Sequence, residues 1–92
     1  MADVADVTTG IAVTVRFFAA ARAASGVDDE VLTVPAGSTV ATLTDGLAAR
    51  SAELARVLQR CSYLCDGVAV RNPHAELAAG QTVDVLPPFA GG

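Results

Sequence analysis

Lysine is absent from this 92-residue chain, and six scattered arginines supply its permanent positive charge. A phosphate backbone needs clustered cations, so nucleic acid is excluded as an expected partner. Ten acidic residues against six basic ones leave a net charge of −4, which suits partners with basic docking surfaces. With no lysine, the chain also offers no side-chain amine on which further copies of itself could be conjugated. Cysteine and histidine are scarce as well. Cys61, Cys65 and His74 are the only thiols and imidazole, too few for a four-ligand zinc site, so no metal is expected. A disulfide is not expected in a cytoplasmic chain, and the two thiols read as ordinary half-buried residues. His74 sits in the turn sequence Arg71-Asn72-Pro73-His74 and reads as an exposed loop residue. Long apolar runs are missing too. Arg16 and Arg22 interrupt the best candidate for a membrane span, and the first ten residues carry Asp3 and Asp6 but no basic residue. The expected location is therefore the cytoplasm, with neither membrane nor signal peptide involved.

What is present is a chain that is 52% hydrophobic and 17% charged, which makes one globular domain without repeats or linkers. A domain of this size has no room for an enclosed active site several layers deep. Residues 1–10 lack a hydrophobic period and read as a flexible arm. Ile11, Val13, Val15 and Phe17 then alternate with Ala12, Thr14, Arg16 and Phe18, as in a strand with one buried face. Ala19 to Ala24 reads as a short helical turn stopped by Ser25-Gly26, and Glu30 to Val34 as a second strand. Ser38-Thr39 supplies a helix N-cap ahead of Val40, Leu43 and Leu47, predicting a main helix over 40–50 and a shorter one over 51–60. Tyr63 to Cys65 and Val68 to Val70 flank Asp66-Gly67, a hairpin dipeptide. Asn72-Pro73 and Ala79-Gly80 are further turns, and Thr82 to Leu86 is the last strand, with Val83 and Val85 inward. The order predicts an α+β fold. A first hairpin, a helix crossing the sheet and a last strand parallel to the first in its middle would be the β-grasp, or ubiquitin-like, arrangement over residues 11–86.

The last strand runs into Pro87-Pro88-Phe89-Ala90-Gly91-Gly92, an extended tail over 87–92. Two prolines stiffen its departure, and two glycines let a narrow pocket close on bare backbone. Six extended residues reach at most ~20 Å. Two terminal glycines arise by chance in roughly 0.5% of chains, and the Pro-Pro upstream makes an idle end less plausible still. A tail of this kind presents a carboxylate. Once activated by ATP to an acyl-adenylate, that carboxylate becomes an electrophile that a sulfur donor can convert to a thiocarboxylate.

Val15-Arg16-Phe17-Phe18-Ala19, Ala21-Arg22, Ser25-Gly26 and Gly37-Ser38-Thr39-Val40 resemble the opening pattern of the small subunit of molybdopterin synthase, the MoaD-type sulfur carrier. Glu76-Leu77, Gly80 and the run from Val83 to Gly92 are similar to its closing signature, with Gln81 where the family usually carries an acidic residue. The resemblance covers residues 11–92. It implies a β-grasp carrier, not catalytic by itself, whose Gly92 becomes the thiocarboxylated residue. No permanently bound cofactor is implied, because ATP is used by an adenylating partner. The implied partners are that activating enzyme, a sulfur donor of the cysteine desulfurase or rhodanese type, and the large catalytic subunit, with which it would form a heterotetramer. Phe18 and Leu86 lie on the parity opposite the buried residues of their strands and, beside Phe89, are the expected partner-binding residues. Other readings are a carrier for thiamine or cysteine synthesis, a ubiquitin-like modifier joined through Gly92, and a plain binding module.

Overall fold

The computed structural model describes residues 10–88. The alternating segment forms β1 (Gly10–Phe17), with Val13, Val15 and Phe17 buried and Ala12 and Arg16 exposed. Helix α1 (Ala19–Ser25) follows and stops at Gly26, whose φ of 84° satisfies the left-handed cap with an N–H bond to the Arg22 carbonyl. Strand β2 (Asp29–Pro35) pairs antiparallel with β1, from Gly10 opposite Pro35 to Arg16 opposite Asp29. Gly10, read from sequence as the end of a flexible arm, is therefore the first residue of a paired strand. The remainder of that arm, residues 1–9, lies outside the described residues.

Helix α2 (Val40–Ala48) begins at Thr39 with a reciprocal cap. The Thr39 hydroxyl accepts the Thr42 N–H at 3.1 Å, and the Thr42 hydroxyl accepts the Thr39 N–H at 2.8 Å. Ser51 caps α3 (Ala52–Leu58) by accepting the Leu54 N–H at 3.1 Å. Both helices are shorter than the sequence pattern suggested, because the Ala49-Arg50 and Gln59-Arg60 steps close in single turns instead of continuing. Strands β3 (Ser62–Cys65) and β4 (Val68–Ala69) form a hairpin whose two turn residues, Asp66 and Gly67, have φ of 50° and 82°. That is the positive-φ pair a tight two-residue hairpin requires. Strand β5 (Thr82–Leu86) completes a five-stranded sheet in the order β2-β1-β5-β3-β4.

Strands β1 and β5 run parallel, side by side, while β3 flanks β5 antiparallel. This is the β-grasp, an α+β fold with its helices on one face of a mixed sheet. The core lies between that face and the helices. Val13, Val15, Phe17, Val83 and Val85 meet Ala21 of α1, Val40, Leu43 and Leu47 of α2, and Leu54 and Leu58 of α3. Each fully buried Val or Leu side chain contributes roughly 1.5–3 kcal/mol. Loop 71–81 is tied to the start of α2 by the Leu77 N–H to the Ser38 carbonyl at 2.8 Å and by the Ala41 N–H to the Pro73 carbonyl at 2.9 Å. Leu77 thereby closes the open end of the core. Among the described residues no helix is long and apolar enough to cross a membrane.

Candidate docking face and tail base

The parallel pairing brings the C-terminal ends of β1 and β5 to one end of the sheet, with Phe17 opposite Val85. The strand that carries the tail is thus a central one, held on both sides. Phe18 donates its N–H to the Val85 carbonyl at 3.2 Å but no longer belongs to β1. It is the extended residue preceding α1, with φ −121° and ψ 149°. Ala19 then takes φ 49°, a left-handed conformation that costs a residue with a Cβ about 1 kcal/mol. That step turns the chain onto the inner face as α1 while the Phe18 ring stays with the outward-facing side chains.

Those side chains form the sheet's second face. Thr14, Arg16 and Phe18 lie beside Thr82, Asp84 and Leu86, with Ser62 and Leu64 of β3 next to Leu86 and Asp84. Phe18, Leu64 and Leu86 are half-buried, and Arg16 stands among them. Its Nε donates to Asp84 Oδ1 at 2.6 Å and its Nη2 to Oδ2 at 2.9 Å, a two-pronged pair across the parallel strands. The guanidinium carbon lies 5.6 Å from the centre of the Phe18 ring. The Asp84 carboxylate is nearly enclosed, while the Arg16 side chain is half exposed. Hydrogen bonding to Asp84 and its charge, helped by Asp29 and opposed by burial, raise the Arg16 pKa above its ordinary value. No buried side-chain polar atom among the described residues lacks a partner. The face is therefore apolar around one internally neutralised ion pair, which a partner can cover without stranding a charge.

Where β5 ends, Pro87 is buried and Pro88 exposed. Pro87, read from sequence as the first residue of a free tail, still packs against the body of the domain. Both prolines line a cleft of about 660 Å³ with Ala20 of α1 and Arg56, Val57 and Arg60 at the end of α3. Phe89, Ala90, Gly91 and Gly92, the remaining site residues named from sequence, lie outside the described residues. Of the expected docking residues, the fold brings Phe18 and Leu86 to one end of the sheet, on the strands that flank the tail's origin. The Arg16–Asp84 pair escaped sequence reasoning. Its signal was an arginine and an aspartate on the outward parity of two strands, legible only once their parallel register is known.

The thiols take no part in this site. Cys61 donates to the Val57 carbonyl at 3.2 Å, and burial pushes its pKa up. Cys65 lies on the inner face of β3, raised by burial and by the charge of Asp66. Both are free thiols, and among the described residues no cluster of three metal-ligating side chains occurs.

A sequence profile of the ThiS family matches residues 15–92. No curated protein sequence matches the chain. Among solved structures, the HVO 2177 protein of Haloferax volcanii superimposes with a TM-score of 0.80 at 28% identity, covering 91% of this chain and 89% of its own. A protein described as molybdopterin converting factor, subunit 1, from Pyrococcus furiosus gives 0.77 at 26%, covering 86% and 99%. Small archaeal modifier protein 1 of H. volcanii gives 0.75 at 23%, covering 87% and 100%, a likeness of fold alone. The same holds for the complex of subunits 1 and 2 of molybdopterin-converting factor from Helicobacter pylori, at 0.63 and 23%, covering 89% and 100%. With its profile match running from β1 through the tail, and with small carrier subunits and ubiquitin-like modifiers as its structural neighbours, this chain belongs to the ThiS family of β-grasp carriers.

Proposed function

We propose that the protein is the sulfur-carrier subunit of a molybdopterin synthase, with the Gly92 carboxylate as its working group. The observation that carries this reading is the family match through residue 92, over a tail that springs from the central strand. The Pyrococcus furiosus neighbour supports the pathway, and the Helicobacter pylori neighbour, in which subunit 1 is complexed with subunit 2, offers a precedent for assembly.

A carboxylate is a poor electrophile because its leaving group would be an oxide. An oxygen of Gly92 attacks the α-phosphorus of ATP on the activating enzyme, and pyrophosphate departs. Sulfide, delivered by a sulfur donor, then attacks the acyl-adenylate carbon and AMP departs, leaving –COS⁻. The large subunit receives the tail and transfers that sulfur to cyclic pyranopterin monophosphate, two transfers completing the dithiolene of molybdopterin. The carrier contributes position and not catalysis. The face around Phe18, Leu64 and Leu86 docks while Pro87 and Pro88 set the direction of the tail, and Phe89 anchors it in the partner.

A second reading is conjugation to other proteins through Gly92, suggested by the archaeal modifier neighbours. Intact mass of the native protein separates the two. Replacement of one oxygen by sulfur marks the carrier, and attachment to a lysine-bearing protein marks the modifier. Deleting Gly92 is expected to abolish molybdopterin formation with the fold intact by circular dichroism. The shortened carboxylate would stop roughly 3.5 Å short of the reacting centre, and displacement by even ~1 Å costs on the order of a hundredfold. Undiminished sulfur transfer by that variant would overturn the reading.

A further inference from the structure

The cleft beside the tail base is the largest concavity described, and its rim is cationic in a protein of net charge −4. Arg56 lies in the last turn of α3 and Arg60 just beyond it, its N–H bonded to the Val57 carbonyl at 3.0 Å. Two of the chain's six arginines thus meet at one notch. Arg16, Arg22 and Arg50 each face a carboxylate, whereas neither Arg56 nor Arg60 does among the described residues. The helix C-terminus gives a cation a modest attraction, but that does not account for two arginines lining the same cleft as the buried Pro87. The floor is apolar, made by Ala20, Val57 and the two prolines.

We propose that this cleft docks the activating enzyme, through a surface segment of that enzyme presenting carboxylates around an apolar side chain. The proposal rests on the reading of Gly92 as the group to be activated. Activation is the step shared by every fate of such a tail, whether sulfur transfer in any pathway or conjugation, so the activating enzyme is the partner common to all of them. Gly92 lies four residues beyond Pro88. At most ~14 Å of extended chain separates them, so an enzyme holding Gly92 in its active site closes over the residues at the tail base. Guanidinium groups at the rim then meet carboxylates bidentately while the apolar side chain covers Val57 and Pro87. This contact lies on the helical side of the domain, leaving the sheet face with Phe18 and Leu86 to a different partner.

The test is ATP–pyrophosphate exchange by the adenylating enzyme of the same organism, with the carrier titrated. Arg56→Ala/Arg60→Ala is expected to raise KM for the carrier roughly tenfold, with kcat unchanged. Arg56→Glu/Arg60→Glu raises it further, and Arg56→Lys/Arg60→Lys recovers most of the loss. The unaltered protein supplies a check that needs no variant, since its own KM must climb as salt screens the contact. An unchanged KM in the alanine and glutamate variants, with no salt dependence, overturns the proposal. So does a lowered KM, which would place the chain's own tail in the cleft. A concentration-dependent dimer that the substitutions dissolve, with KM untouched, would place a second copy there and overturn it equally. The Gly92 deletion keeps the two ideas apart. If that variant still supports exchange, the reading of Gly92 fails, whatever the arginines do. If it does not, the arginine variants report on the cleft alone.

Discussion

Phe18→Ala probes the docking face most directly, and the structure sets the size of both its effects. The ring is half-buried against its own domain, so truncation removes contacts that help folding as well as surface left for a partner. A phenylalanine side chain offers on the order of 200 Å². With about a third of it still open, roughly 60–70 Å² remains for a partner, or ~1.5 kcal/mol at about 25 cal/mol per Å². That is about tenfold in Kd. Loss of the part already buried should cost folding about 2 kcal/mol, below the range for a fully enclosed phenylalanine. In a domain of this length such a loss lowers Tm by roughly 8–16 °C. Titration calorimetry against the large subunit, run well below the variant's own transition, isolates binding from folding. Reduced stability with unchanged Kd would show that the ring serves the domain only and that partners dock elsewhere. If neither quantity moved, the placement of the ring beside Arg16 would itself be wrong.

Leu86→Ala should behave in the same way with a smaller binding loss, and combining it with Phe18→Ala should give less than the sum if one partner surface covers both. Asp84→Ala removes a nearly enclosed carboxylate and its two bonds to Arg16, and a loss of about 1–2 kcal/mol is expected from urea unfolding; an unchanged midpoint would mean the pair is solvated. The Cys61→Ser, Cys65→Ser double variant should retain sulfur transfer, and alkylation of the native thiols at neutral pH should be slow because burial raises both. Failure of a properly folded double variant would return the chemistry to a thiol. Burial, with Cys61 nearby, pushes the Tyr63 phenol from 10.0 up to about 12. The folded state holds that proton more tightly than the unfolded chain, so its stabilisation is complete below pH 10 and drains away as pH rises towards 12. Tyr63→Phe should flatten the alkaline limb of stability against pH, and an identical limb in both proteins would contradict the assignment.

Much of the architecture was readable because local chemistry and burial agree. The two-residue period of Val13, Val15 and Phe17, the helical spacing of Val40, Leu43 and Leu47, and the Thr39 cap each have one reasonable structural outcome. Asp66-Gly67 marked its hairpin for the same reason. What escaped were features made by neighbours distant in sequence. The Arg16–Asp84 pair joins residues 68 apart through a parallel register that no local pattern encodes. Ala19 carries no sign that it will take a positive φ, because the corner is imposed by the packing of α1 and not by an intrinsic preference. Pro87 looked like the start of a free tail because proline stiffens chains everywhere; only the position of α3 buries it. Arg56 and Arg60 read as ordinary solvated charges until the tail base was seen beside them.

The place of β5 in the sheet has a mechanical consequence. Threading a tail into a narrow pocket loads the chain from which it springs. β5 is laced to β1 along four residue pairs and to β3 along four more. Tension along the tail runs nearly parallel to both ladders, so both must shear together before the strand can slip; a terminal edge strand pulled from the side would peel one bond at a time. A partner can therefore grip and withdraw the last residues over successive cycles while the domain behaves as a stiff handle.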